Sequence, residues 1–277
     1  MNEEQETSKQ ESQLQQQRSI NQTSFKFVVF LLCFINALNY VNRYTLPPVV
    51  GRLKDSFSLS STQLGLIQTC FEIVYVITSP LFGYLGDRYD RRYILVSTLA
   101  IANISGFICS FVPDGAFVTF VFFRAILASA EAAFSNIAPT LIGDMFIGKT
   151  RTLVISLFQF AIPIGCGVGY IVASLVVDAM DNWRWAFRLT PLPMLTCTVA
   201  FITFVPEPVR GEAEAAGGLH VKTSMLTDLA YIIRIRSFTL TTLGFIGVAF
   251  ATGALCYWTP FLVTIMSSIR HGDGTNE

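Results

Sequence analysis

Four charged residues, Arg43, Glu72, Arg124 and Glu131, fall inside long apolar stretches of the sequence. A charge within a bilayer costs about 3 kcal/mol on insertion scales, so such residues mark a substrate or ion path by default. The competing explanation is a buried structural ion network with no part in transport. Arg124 and Glu131 are seven residues apart. On a helix, two turns place them on one face about 10 Å apart along the axis. That gap exceeds a direct salt bridge, so each needs a partner on another helix, and Arg43 is the natural partner for a carboxylate. Glu72 reads as a carboxyl desolvated without a close cation. Such a group is suited to carry a proton, although a structural pairing with an arginine is an equal alternative.

A second cluster lies in Gly83–Arg92, which reads G-Y-L-G-D-R-Y-D-R-R between two apolar runs. Lipid does not solvate charge, so Asp87, Arg88, Asp90, Arg91 and Arg92 must lie outside the hydrocarbon. The flanking runs are then membrane spans joined by a very short basic turn. A third feature is P-I-G-C-G-V-G, with Pro163, Gly165, Gly167 and Gly169 on one predicted helix. Small residues let helices approach closely and proline permits a bend, which suits either a pivot or plain tight packing.

These residues must be positioned by a membrane scaffold. Of the 277 residues, 52% are hydrophobic and only 14% are charged, against about 25% charged in soluble domains. Seven apolar runs near 25–46, 63–85, 93–112, 117–141, 152–177, 185–205 and 238–266 are long enough to span a 30 Å core. Residues 1–24 read as a disordered polar tail. The linker 206–237 contains an amphipathic segment from Ser224 to Arg236, and 267–277 forms a second tail. The six cysteines all fall in apolar runs, which fits packing rather than disulfides or zinc. No phosphate-cradling loop, catalytic nucleophile set or metal-ligand spacing is present, so no enzyme activity, cofactor, metal or nucleic-acid partner is expected.

Charge asymmetry sets orientation. With the N-terminus in the cytoplasm, that side holds Lys9, Arg18, Lys26, Arg88, Arg91, Arg92, Lys149, Arg151, Arg210, Lys222, Arg234 and Arg236. The other side holds Arg52, Lys54, Arg184 and Arg270, with Arg188 close to the membrane. Seven runs and the triplet Asp87-Arg88-Tyr89 also invite comparison with G-protein-coupled receptors. The triplet follows the second run rather than the third, however, and the charge bias puts the N-terminus inside.

Further segments narrow the assignment. The first run ends in N-Y-V-N-R-Y-T-L (39–46), and the second carries G-L-I-Q-T-C-F (65–71) before the 83–92 turn. The fourth holds R-A-I-L-A-S-A-E-A-A-F-S-N-I-A-P-T-L-I-G-D-M-F (124–146), and the sixth opens with W-R-W-A-F-R-L-T-P (183–191). The 83–92 turn resembles the signature loop of the major facilitator superfamily. Together the segments resemble its Spinster family of lipid transporters over residues 25–266.

The resemblance implies an all-α membrane fold of twelve helices in two six-helix halves. This chain would supply the N-terminal half (25–205) plus helix 7, with the second half absent. The implied activity is alternating-access transport of lysophospholipids or sphingolipids such as sphingosine-1-phosphate. The implied membrane is late endosomal or lysosomal, with the plasma membrane as the alternative. By resemblance, Arg43, Arg124 and Glu131 match substrate and proton-coupling positions, and Gly83, Asp87, Arg88, Arg91 and Arg92 match a cytoplasmic gate. The family usually has Asp before the first-helix Arg, whereas this chain has Asn42, which cannot titrate. Glu72 is a candidate to replace that lost carboxylate. A chain of this length alone is not expected to transport. Its polar face would be covered by a homodimer or by pairing with a longer chain. The alternative is a non-transporting regulatory protein derived from a truncated transporter.

An odd number of spans and the charge bias predict a cytoplasmic N-terminus and a non-cytoplasmic Glu277. Protease protection or glycosylation tags placing both termini on one side would overturn this topology.

Overall fold

The computed structural model describes residues 26–146, 148–205 and 231–272, with side chains for all of these except 260–261, 264–265 and 267–272. Seven helices in them are long and apolar enough to cross a membrane: Lys26–Phe57, Ser61–Arg88, Arg91–Cys109, Phe117–Met145, Gly148–Met180, Arg184–Phe204 and Arg236–Thr259. They are called here the first to seventh spans. The 1–24 tail, the end of the 267–277 tail and most of the 206–237 linker with its amphipathic segment lie outside the described residues. Of the linker, 231–234 is helical.

All seven expected spans are present, and the first is longer than expected. It continues beyond a turn at Thr45 as a helix, Leu46–Phe57. Pro47 and Pro48 favour this restart, because the first helical positions have no intrahelical use for the missing N–H. Leu46, Val49, Val50, Leu53 and Phe57 are all buried, so the extension is held by packing. Ser58 ends it in a left-handed conformation, with φ of 51°. Ser60 and Gln63 then close a reciprocal capping box that starts the second span. At the other end of that span only Tyr89 and Asp90 separate it from the third.

The first six spans form one compact unit, and the seventh belongs to a separate unit. Within the six, the fourth is central and packs against both the second and the third. It can do so because Ala128, Ala130, Ala132, Ala133 and Ala138, all buried, give it small side chains on several sides. In a membrane, helix association rests on close van der Waals contact rather than on release of water, and small side chains allow that contact. The main core joins Leu32 and Ile35 of the first span, Leu99 of the third, Phe134 and Ile137 of the fourth, Phe158 of the fifth and Phe201 of the sixth.

The fifth span approaches the first at two glycines. A Cβ on Gly169 would lie 2.7 Å from the Val41 carbonyl oxygen, and one on Gly165 would collide with Ala37 and Tyr40. Gly167 meets nothing within 4 Å, and both it and Pro163 are exposed. The glycine run therefore divides into a contact face, Gly165 and Gly169, and an outward face. Gly169→Leu is expected to destabilise the bundle by about 1–3 kcal/mol through overpacking, and Gly167→Ala to leave thermal stability in detergent unchanged. Equal effects of the two would remove the contact-face assignment.

Candidate functional site

Phe71 is the hub around which three of the four intramembrane charges gather. Its side chain is fully buried, and the Arg43 and Arg124 guanidinium carbons each lie 4.9 Å from its ring centroid. The ring's negative π face attracts cations, worth roughly 2 kcal/mol where water is excluded. Arg43 also lies over Tyr75, at 5.1 Å, and Arg124 over Phe187, at 6.0 Å. Arg124 is 1% exposed. One aromatic residue of the second span thus holds arginines from the first and the fourth.

Arg43 forms an ion pair with Glu72, the neighbour of Phe71. Gln68, one turn earlier, donates to the same Glu72 oxygen at 2.8 Å. Of the two sequence readings of Glu72, the structure has the pairing with an arginine rather than a carboxyl without a close cation. Arg43 satisfies it, and the Glu72 side chain is 44% exposed rather than deeply buried. Residues 43 and 72 lie on adjacent helices whose mutual rotation no single-helix pattern reveals. Glu131 is the buried carboxyl of the group. It is 4% exposed, and its Oε1 accepts no hydrogen bond. Arg43, Arg124 and Glu72 all lie within electrostatic reach of it.

Asn42 is also buried, and its Oδ1 accepts no hydrogen bond. Asn39, one turn earlier, has a buried Nδ2 that donates none. The second and fourth spans are tied together below the charge cluster by Asn136, whose amide donates to the Ser79 hydroxyl at 2.8 Å and carbonyl at 3.1 Å.

The 83–92 turn forms a second cluster at the other end of the second span. Arg91 is buried and ion-paired with Asp144 at the end of the fourth span, and its Nε donates to the Gly86 carbonyl at 3.3 Å. Gly86 lets the two spans meet, since a Cβ there would lie 3.0 Å from Ile137. Arg92 donates to the Ile202 carbonyl in the last turn of the sixth span, where exposed carbonyls favour a cation. Arg88 stacks over Tyr84 at 4.5 Å. Asp87 is exposed, and Gly83 has nothing within 4 Å of its Cβ position. The expected gate residues thus separate into Arg91 and Arg92, built into the bundle, and Asp87 and Arg88, which face outward.

Asp144 and Gly86 were not singled out from sequence, nor was Phe71 assigned a polar role. Asp144 had a usable signal, a carboxylate closing the fourth span beside a turn with three arginines. Phe71 had none, because a buried phenylalanine is ordinarily core.

The sequence pattern of the Major Facilitator Superfamily matches residues 32–269. The chain belongs to the major facilitator superfamily. Among curated proteins, it is 41% identical over 245 residues to Protein spinster homolog 3 of Danio rerio, covering 88% of this chain and 49% of that protein. It is 38% identical over 247 residues to Protein spinster of Drosophila melanogaster, covering 89% and 40%. Against Protein spinster homolog 1 of Homo sapiens it is 40% identical over 235 residues, covering 84% and 44%. The chain thus spans about half the length of the curated relatives it matches, or somewhat less.

Among solved structures, the fold superposes with a TM-score of 0.72 on a bacterial homolog to the human lysosomal transporter Spinster, inward-facing and unoccupied. The identity is 21%, covering 86% of this chain and 55% of that one. A D-xylose-proton symporter gives a TM-score of 0.66 at 21% identity, covering 86% and 61%. At this identity the likeness establishes the fold, an all-α membrane architecture of which this chain covers part. With seven membrane-length helices, this superfamily member is an integral multi-pass membrane protein.

Removing either partner of the mostly buried Arg91–Asp144 pair leaves the other charge uncompensated, at a cost of about 3 kcal/mol. Arg91→Gln and Asp144→Asn are each expected to lower thermal stability, and the double variant to lose less than their sum. Strictly additive losses in a double-mutant cycle would show that the pair is not coupled.

Proposed function

We propose that the chain forms part of a secondary transporter that carries lysophospholipids or sphingolipids, such as sphingosine-1-phosphate, across a membrane by alternating access coupled to protons. The observation that carries this reading is the cluster at Phe71. Two guanidiniums, Arg43 and Arg124, face two carboxyls, Glu72 and Glu131, of which only Glu72 has its cation in a direct pair. With both carboxyls ionised the cluster is neutral. A proton on Glu131 leaves two guanidiniums against one carboxylate, and that surplus favours an anionic head group. Release of the proton cancels the surplus and favours release of the anion. Guanidinium is the side chain best matched to phosphate oxygens, which supports a phosphate-bearing lipid. The Spinster relatives and the fold likeness to a transporter structure support membrane transport.

In this scheme Arg43 and Arg124 bind the head group, and Glu131 exchanges the proton. Glu72 sets how much of Arg43 is free for substrate, a role that rests on their ion pair. Gln68 holds the Glu72 carboxylate in place. Asn42 contributes polarity and no proton. Asp87, Arg88, Arg91 and Arg92 close the cytoplasmic side, and Gly165 and Gly169 let the fifth span slide or rock on the first. The proposed membrane is late endosomal or lysosomal. The proposed partners are the lipid substrate and the helices that cover the polar face, from a second half, a second copy or a longer chain.

The test is lipid flux in proteoliposomes, using a form with both six-helix halves. Glu131→Gln is expected to reduce flux at least tenfold, whereas Cys109→Ser, a buried packing change, leaves it intact. Glu72→Gln is expected to flatten the dependence of flux on pH, because an unpaired Arg43 holds surplus charge at every pH. Normal flux with Glu131→Gln would remove that residue from the mechanism. An unchanged pH profile with Glu72→Gln would reduce Glu72 to a structural partner.

A further inference from the structure

We propose that Arg188 anchors a binding site for an anionic phospholipid, in the leaflet at the end of the bundle opposite the 83–92 turn. Arg188 lies one turn into the sixth span, about 6 Å below its first residue. That depth matches the boundary between head groups and acyl chains, where aromatic belts sit. Its guanidinium carbon is 4.9 Å from the Phe111 ring and 5.0 Å from the Trp185 ring. Its Nε is buried and donates no hydrogen bond.

Among the described residues of the first six spans, the other arginines at this end are satisfied. Arg52 pairs with Asp178 and Asp181, and Arg184 with Asp114 at 2.7 Å. Among the described residues Arg188 has rings around it and no carboxylate. A guanidinium fixed between two rings retains donors for an anion from outside the protein, and its planar fork matches two phosphate oxygens.

The surface leading away from Arg188 suits acyl chains. The sixth span exposes Leu192, Leu195 and Val199, and the third exposes Phe107, Ile104 and Ile101. Their spacing of three and four residues aligns each set along one helix face. Both rows start at the Arg188 cluster, from Trp185 and from Phe111. The two spans are packed together beneath it, with Asn103 donating to Thr198 at 3.2 Å and Gly106 against Pro191. A cation at head-group depth above two apolar rows fits a phospholipid. The absence of a neighbouring carboxylate favours one without a choline or ethanolamine cation.

The experiment titrates the delipidated 277-residue chain with phosphatidylglycerol or phosphatidylcholine and counts bound lipid by native mass spectrometry. Phosphatidylglycerol is expected to bind at least tenfold more tightly than phosphatidylcholine, and Arg188→Gln to abolish that preference. Arg52→Gln, at the same membrane face, should retain it. On the unmodified chain, phenylglyoxal labelling of Arg188, read by peptide mass spectrometry, should be slowed by phosphatidylglycerol and not by inorganic phosphate. This readout stands even if the variant fails to fold. Equal binding of the two lipids, a preference that survives Arg188→Gln, or protection by inorganic phosphate alone would overturn the proposal.

Discussion

A bilayer solvates neither guanidinium nor carboxylate, and the arrangement of the six-span unit follows from that constraint. Arg43, Glu72 and Arg124 each have a specific neighbour in the membrane, an opposite charge, an aromatic ring, or both, and Glu131 lies within electrostatic reach of the two arginines. Phe71 carries much of this burden. Its ring stabilises two arginines without supplying a second charge, so the cluster keeps a polarity that a fully compensated network would lose. Salt pairs alone would lock all four groups against one another. Cation–π contacts hold the arginines in position and leave carboxyl chemistry open at Glu131.

The ends of the bundle use the same groups for a different purpose. At the turn between the second and third spans, Arg91 and Arg92 are tied to Asp144 and to a terminal carbonyl of the sixth span. At the opposite end, Arg52 is tied to acidic residues in and just after the last turn of the fifth span and Arg184 to one before the fourth, and Trp183 donates to Ser56 within a cluster of Phe57, Phe120 and Phe187. Both ends are therefore cross-braced by charged groups, with the Arg91–Asp144 pair mostly buried and the pairs of Arg52 and Arg184 more exposed. The middle is packed through alanine and glycine. The fourth span meets the second and third over small residues, and the first meets the fifth at Gly165 and Gly169. Contacts of that kind are close but make few specific polar demands.

Reading the sequence located the spans because hydrocarbon thickness imposes a length on every apolar run, and it located the 83–92 turn because charges cannot sit in lipid. It also singled out Arg43, Glu72, Arg124 and Glu131, whose presence in apolar runs is itself the anomaly. It did not show that Leu46–Phe57 continues the first span as a helix, since Thr45, two prolines and three charged residues read locally as a loop, and only burial against the bundle makes the helix stable. Phe71 had no visible role in the sequence, for aromatic residues in apolar runs are common and their ring contacts leave no trace in spacing.

The sequence by itself determined composition-driven properties: a membrane scaffold, seven spans, the charge bias between the two sides, and the identity of the costly residues. Tertiary structure alone decided who meets whom. Glu72 belongs to Arg43 rather than standing free, Asp144 belongs to Arg91, and Gly165 and Gly169 face the first span while Gly167 faces away. The physical reason is that membrane insertion depends on each helix separately, residue by residue. Pairing depends on how far each helix is rotated about its own axis against its neighbours. That rotation is fixed by the summed fit of many small side chains, and no single stretch of sequence contains it.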